Sequence, residues 1–146
     1  MAKRILVPID GSEGSEEIVP VVAALARDGG ATIRLLRVYP VPAPVFRDNG
    51  QPIAYADQQM AGLSAAGQDA LEHVKARLHD VDVEGMVRFG DTVEEIAREA
   101  EAFGADVIAL TSSPRGRLQR ALSPGVADRV AAIATVPTIV LHAPAA

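Results

Sequence analysis

A chain of 146 residues, 49% apolar but only 3% aromatic, is long enough for one domain with an aliphatic core. Its formal net charge of −5 argues against nucleic acid as a partner, because nucleic-acid binding usually requires a basic face. The absence of cysteine excludes disulfides, thiolate chemistry and cysteine-based metal sites. No apolar run approaches the roughly 20 residues of a membrane span, and the run ending at Ile9 is too short for a signal peptide. We therefore expect a cytoplasmic protein with no membrane partner.

The first predicted strand is the continuous apolar run from Ile5 to Ile9, which is typical of a strand buried on both faces. The polar stretch 10–15 then offers oxygens that can cap a helix. Pro20 fits such a helix only near its first turn. The apolar face of this helix is predicted to contain Ile18, Val21, Val22 and Leu25.

Thr32 to Tyr39 is rich in β-formers and is predicted to be the second strand. Residues 40–56 contain four prolines and Asn49-Gly50, and are predicted to be loop only. Apolar residues at steps of three and four then indicate an amphipathic helix from about Tyr55 to Asp80.

A third strand is predicted from Val83 to Phe89, at an edge of the sheet because Gly85 weakens it. Asp91 stands three residues before Glu94, the spacing of a capping box, and begins a helix that ends at Gly104. A fourth strand, Asp106 to Ser112, precedes a basic loop.

Ser123-Pro124 resembles a helix cap with proline at the first helical position. A fifth strand follows from Pro137 to His142. The alternation of strands and helices predicts a single-domain α/β fold, in which helices cover both faces of a parallel sheet.

Ligands of such sheets bind beyond the carboxyl ends of the strands, where the strand order reverses. Asp10 is the strongest single candidate there, and a role as a turn or cap residue is an equal alternative. Phosphate-loop and dinucleotide motifs are absent. Ser64 falls within a predicted helix rather than on a nucleophile elbow, and His73 and His79 face different sides of it. We therefore predict no catalytic residues, no metal site and no enzyme, with slow nucleotide hydrolysis left open.

Four segments together resemble the opening and closing signatures of the universal stress protein family: residues 5–12, 106–110, 126–130 and 136–140. The resemblance covers essentially the whole chain and implies a domain at 1–142 with a tail at 143–146. It implies a flavodoxin-like, adenine-nucleotide-hydrolase-like sheet of five strands in the order 3-2-1-4-5. It also implies a stress-response role and a homodimer joined along Thr138 to His142, with adenine nucleotides as ligands of many members.

The same resemblance assigns the adenine and ribose to Pro8, Ile9, Asp10 and the backbone of Val38. ATP-binding members cradle the phosphates with the pattern G-x-x-G, nine residues, then G-[ST]. None of the four residues at those positions here keeps the family's residue type: Thr111, Pro114, Pro124 and Gly125.

These departures have physical consequences for a bound triphosphate. Pro114 neither adopts a positive φ nor donates a hydrogen bond, Pro124 lacks an amide, and Gly125 lacks a hydroxyl. Each lost hydrogen bond to a charged group costs roughly 1.5–3 kcal/mol. Two or three losses weaken binding by a few powers of ten. Our first hypothesis is therefore a stress-response or regulatory dimer that binds ATP weakly or not at all.

The alternative is an ATP- or AMP-binding protein, with magnesium, in which arginines replace the lost glycine contacts. A helix N-terminus at Gly125 is a general anion site, and guanidinium groups neutralise phosphate. A solvated loop is the competing explanation of those arginines, Arg115, Arg117 and Arg120. A third hypothesis is an enzyme built on the same sheet. The predicted binding residues are Pro8, Ile9, Asp10, Val38, Thr111, Ser112, Arg115, Gly125 and Val126.

Overall fold

The computed structural model describes residues 3–11, 14–43, 45–54, 56–112 and 125–142. The predicted tail, 143–146, lies outside these ranges. In chain order the elements are β1 (Arg4–Pro8), α1 (Val19–Gly29), β2 (Thr32–Tyr39), β3 (Val45–Phe46), β4 (Pro52–Ala54), α2 (Ala56–Lys75), β5 (Asp82–Phe89), α3 (Thr92–Phe103), β6 (Val107–Ser112), α4 (Val126–Ile133) and β7 (Thr138–His142).

Five of these strands form one parallel sheet in the order β5-β2-β1-β6-β7. Numbered among themselves, the strands follow the order 3-2-1-4-5, so the predicted fold is confirmed. β5 lies at one edge, as its glycine indicated, and β7 lies at the other. Within the described residues, no helix is both long and apolar enough to cross a membrane.

The sheet separates two apolar clusters because successive residues of a strand point to opposite faces. Ile5 and Val7 of β1 pack with α1 and α2, whereas Leu6 between them packs with α3 and α4. Both faces of β1 are therefore buried, which explains its uninterrupted apolar sequence.

Helix ends agree with the sequence in some places and correct it in others. The carboxylate of Asp91 accepts a hydrogen bond from the Glu94 amide at 3.0 Å, so the predicted cap of α3 is confirmed. Pro20 lies in the first turn of α1, also as predicted. The prediction that residues 10–15 cap this helix is wrong, because α1 follows Ile18 without a side-chain cap.

The buried face of α1 also differs from the prediction. Val21 and Leu25, which were predicted on the apolar face, are 46% and 50% exposed. The buried residues are instead Val19, Val22, Ala23 and Ala26.

Three further boundaries differ from the sequence prediction. Segment 40–56 is not loop only, since β3 and β4 form an antiparallel hairpin. α2 ends at Lys75 rather than near Asp80, which has a positive φ of 62°. Proline is not the first residue of α4, because Gly125 is the N-cap and the helix begins at Val126.

A cluster of three arginines and three glutamates fixes α3 to the sheet. Arg88 of β5 donates to Glu95 and to Glu99 of α3, each at 2.8 Å. Both glutamates are buried, at 5% and 1% exposure. We call this set the arginine–glutamate cluster; its members are Arg34, Arg88, Arg98, Glu84, Glu95 and Glu99.

Candidate functional site

The candidate site lies at the carboxyl end of β1, between β2 and β6, where the strand order reverses. Pro8 and Ile9 are buried and Asp10 is half-buried. The Ile9 amide donates to the carbonyl oxygen of Leu36 at 2.8 Å, so β1 pairs with β2 up to this end. Val38 is two residues beyond Leu36 on β2, which places it beside Asp10. The four residues assigned to adenine and ribose therefore lie close together.

A buried serine holds the turn that follows β1. The backbone amide of Asp10 donates to the hydroxyl oxygen of Ser15 at 3.0 Å, and Ser15 is 0% exposed. Gly11 has a φ of 90°, which favours glycine, and directs the chain into this turn. Ser15 was not predicted as a site residue. The signal for it was a serine in the polar stretch 10–15, and this stretch does not cap α1.

Thr111 and Ser112 form the adjoining wall at the end of β6. Thr111 is 2% exposed, and its hydroxyl has no hydrogen-bond partner among the described residues. A buried hydroxyl without a partner is unfavourable by roughly 1–3 kcal/mol. Ser112 is half-buried and stands opposite His142 of β7. A β-branched side chain therefore fills the position that the family resemblance assigns to glycine.

The N-terminus of α4 completes the site. Val126 is 4% exposed and belongs to the same apolar cluster as Leu36 and Leu110, against which Val38 also packs. Gly125 has a φ of 89°, and its carbonyl oxygen accepts the first helical hydrogen bond from the Arg129 amide at 2.9 Å. The amides that begin α4 have no helical acceptor, which is the arrangement that binds anions. The remaining predicted residues of this loop lie outside the described ranges: Pro114, Arg115, Arg117, Arg120 and Pro124.

A positive charge that the sequence analysis did not single out lies next to this site. The guanidinium carbon of Arg37 is 4.5 Å from the centroid of the Tyr39 ring, a cation–π contact. The same carbon is 3.8 Å from the position that a Cβ would occupy at Gly11. Tyr39 in turn stacks on Phe89, with ring centroids 5.8 Å apart. A charged residue inside an apolar strand was the signal that was overlooked.

Across the ranges that the structure describes, no group of three or more His, Cys, Asp or Glu side chains is arranged to hold a metal ion. The site therefore consists of a strand-end carboxylate, a threonine hydroxyl, helix-end amides and a nearby guanidinium.

Comparison with known proteins agrees with this architecture. The model of the universal stress protein family matches residues 1–142. The chain belongs to the universal stress protein family. A curated relative, universal stress protein MJ0531 of Methanocaldococcus jannaschii, is 29% identical over 145 residues, which is 97% of this chain and 83% of the relative.

Solved structures of universal stress proteins and related chains share the fold. Hypothetical protein MJ0577 superposes with a TM-score of 0.78 at 23% identity, covering 100% of this chain and 99% of its own. A universal stress protein in complex with cAMP gives 0.65 at 20% identity, covering 97% and 98%. The universal stress protein from Archaeoglobus fulgidus in complex with dAMP gives 0.61 at 16% identity, covering 95% and 97%. At these identities the superpositions establish the fold alone.

Proposed function

We propose that this universal stress protein is a regulatory module without catalytic activity whose nucleotide pocket holds ATP only weakly. The observation that carries the proposal is the buried side chain of Thr111 at the end of β6. ATP-binding members have glycine at the corresponding position. A threonine side chain occupies space there that glycine leaves open, and its β-branched backbone preference keeps the chain in strand conformation through Ser112.

The sequence of the following loop supports the same conclusion. Pro114 and Pro124 stand at two further positions that are glycine in ATP-binding members, and neither has an amide hydrogen to donate. The β- and γ-phosphates lose more contacts than the base does, because Pro8, Asp10 and Val38 lie outside that loop.

A second candidate function is the binding of an adenosine monophosphate. Two structural neighbours were solved with cAMP and with dAMP, each of which carries a single phosphate. One phosphate needs fewer main-chain donors than three, and the amides at the start of α4 supply several. This candidate assigns the base to the end of β1 and the phosphate to Gly125 and Val126.

Isothermal titration calorimetry with AMP and with Mg-ATP tests both candidates. We expect wild-type protein to bind AMP at least as tightly as Mg-ATP. Thr111→Gly should tighten Mg-ATP by about tenfold, or about 1.4 kcal/mol, because glycine opens the space that the threonine side chain fills. Asp10→Ala should weaken every nucleotide that binds. Micromolar binding of Mg-ATP to wild-type protein, unchanged in Thr111→Gly, would contradict the proposal. Millimolar Mg-ATP should also leave the melting temperature of wild-type protein nearly unchanged.

The absence of catalysis is a separate part of the proposal. Phosphate release from ATP should stay at the buffer rate for wild-type protein and for Asp10→Ala. Release by wild-type protein that disappears in Asp10→Ala would assign the chain to the hydrolases instead.

The proposal includes a homodimer formed along β7. β7 pairs with β6 on one side only, and Ile139 of this edge strand is 42% exposed. Edge strands with exposed apolar side chains readily pair with a second chain. Light scattering after size-exclusion chromatography should give twice the chain mass for wild-type protein and the single-chain mass for Ile139→Lys. Ile133→Lys, a matched change at a 50% exposed site on α4, should leave the dimer intact.

A further inference from the structure

A cavity of about 240 Å³ lies between α1 and the turn that follows α2, away from the residues assigned to the nucleotide. Its apolar lining includes Val19 at 6% and Ala23 at 2% exposure. Leu78 also lines the cavity and packs against the apolar cluster to which Val19 belongs. A partly open pocket with buried apolar side chains on one wall is a common setting for a small-molecule site.

The polar side of the cavity carries two guanidinium groups and one carboxylate. Arg77 forms an ion pair with Glu16, so these two charges neutralise each other. Arg27 donates its Nε hydrogen to the carbonyl oxygen of His79 at 3.3 Å. Within the described part of the chain, Arg27 has no carboxylate within 4.0 Å, which leaves its terminal N–H groups available.

This local charge is opposite in sign to the charge of the whole protein. The lining carries one uncompensated positive charge, whereas the chain has a net charge of −5. Asp80 and Asp82 line a neighbouring hollow that also touches Arg27, yet neither reaches it as an ion pair. A guanidinium without an ion-pair partner, beside buried apolar side chains, favours ligands with an anionic head and an apolar body.

We propose that this cavity binds a small organic carboxylate with a compact apolar body. The carboxylate contacts Arg27, and the apolar body lies against Val19, Ala23 and Leu78. An apolar cavity of about 150 Å³ holds benzene, so about 240 Å³ accommodates roughly ten non-hydrogen atoms. This site is independent of the proposed nucleotide pocket, and neither depends on the other.

Benzoate and benzamide form a matched pair of probes, because they have the same shape and differ in charge. We expect amide-resolved NMR titrations to show millimolar binding of both, with shifts at Val19, Ala23 and Leu78. Benzoate should bind about two- to fivefold more tightly, which is the range of an exposed ion pair.

Two substitutions and a control separate the contributions. Arg27→Gln, an exposed change, should abolish the preference for benzoate while benzamide still binds. Ala23→Leu should fill the cavity and exclude both probes. Arg129→Gln removes an arginine from α4 and should change neither affinity. The proposal fails if the shifts lie away from α1 and from residues 77–78, if neither probe binds, or if the preference persists in Arg27→Gln. Should Ala23→Leu not fold, the Arg27→Gln result alone decides.

Discussion

The backbone amide of Asp10 and the hydroxyl of Ser15 are joined by a hydrogen bond of 3.0 Å, buried beneath the turn after β1. This bond gives Asp10 a defined main-chain position at the end of a central strand. The turn is therefore held by a hydrogen bond between two residues five apart in the sequence. The helix cap that the sequence predicted here does not form.

Ser15→Ala should lower the free energy of unfolding by about 1–3 kcal/mol, because it leaves a backbone donor without this acceptor. Urea denaturation measures the change. Ser64→Ala, a half-exposed serine on α2, is the matched control and should change stability by less than about 0.5 kcal/mol. Equal effects in both variants would show that the Ser15 hydroxyl does not support the turn.

Thr111→Val should raise the free energy of unfolding by about 1–2 kcal/mol. Valine has nearly the same shape as threonine but lacks the hydroxyl, which is buried without a partner in the described residues. Urea denaturation again provides the measurement, and Thr92→Val at the start of α3 serves as a surface comparison. A loss of stability in Thr111→Val would mean that this hydroxyl is satisfied in the folded protein.

Glu95 should make stability depend on acid pH. Burial alone would raise the pKa of Glu95, but hydrogen bonds from Arg88 and Arg98 outweigh it and hold the pKa below the ordinary value of 4.5. A lowered pKa adds stability that is complete above pH 4.5 and is lost as the pH falls through the folded-state pKa. Glu95→Gln should be less stable at pH 7 and show a flatter decline below about pH 4.5 than wild-type protein. Thermal melts from pH 7 to pH 3 measure this, and Glu101→Gln, exposed on the same helix, should keep the wild-type slope.

Two glycine substitutions should have opposite signs. Gly90 has a φ of 142°, and a Cβ there would lie 2.9 Å from the carboxylate of Glu95, which Arg88 holds in place. Gly90→Ala should therefore cost about 1–3 kcal/mol. A Cβ at Gly62 in α2 would have no atom of the described residues within 4 Å outside its own helix backbone and chain neighbours, so Gly62→Ala should stabilise by up to about 1 kcal/mol. Destabilisation of similar size in both variants would refute the role assigned to the Glu95 contact.

The parts of the fold that rest on short-range patterns were predictable. The apolar runs of the central strands, the Asp91 cap and the glycine-weakened edge strand β5 all appear in the structure where the sequence indicated. The family resemblance added the strand order, which no local pattern specifies.

The hairpin of β3 and β4 was missed because prolines dominate its sequence. Its turn is specified by other residues, since Gly50 has a φ of 86° and the Asn49 side chain accepts from the Gln51 amide at 3.0 Å. Asn-Gly is a strong hairpin signal, and it was outweighed by the prolines around it.

The candidate site was predictable in position but not in detail. The strand-end rule located Asp10, whereas Val38 and Thr111 were given by the family resemblance. Ser15 and Arg37 were not predicted, because the Ser15 contact lies in an irregular turn and the contact of Arg37 with Gly11 joins two separate segments. The burial of Glu95 and Glu99 was not predictable either, because their partner Arg88 lies on a different element, β5.

The division of the interior into two apolar clusters determines which substitutions act independently of each other. Val38 and Val126, two of the residues proposed to bind nucleotide, pack with the cluster under α3 and α4. Ile9, also proposed to bind nucleotide, packs with the cluster under α1 and α2, as do Val19 and Leu78 of the cavity. Substitutions without shared neighbours add independently. Substitutions at Val126 and at Leu78 should therefore add, whereas substitutions at Ile9 and at Val19 act on one cluster and can couple.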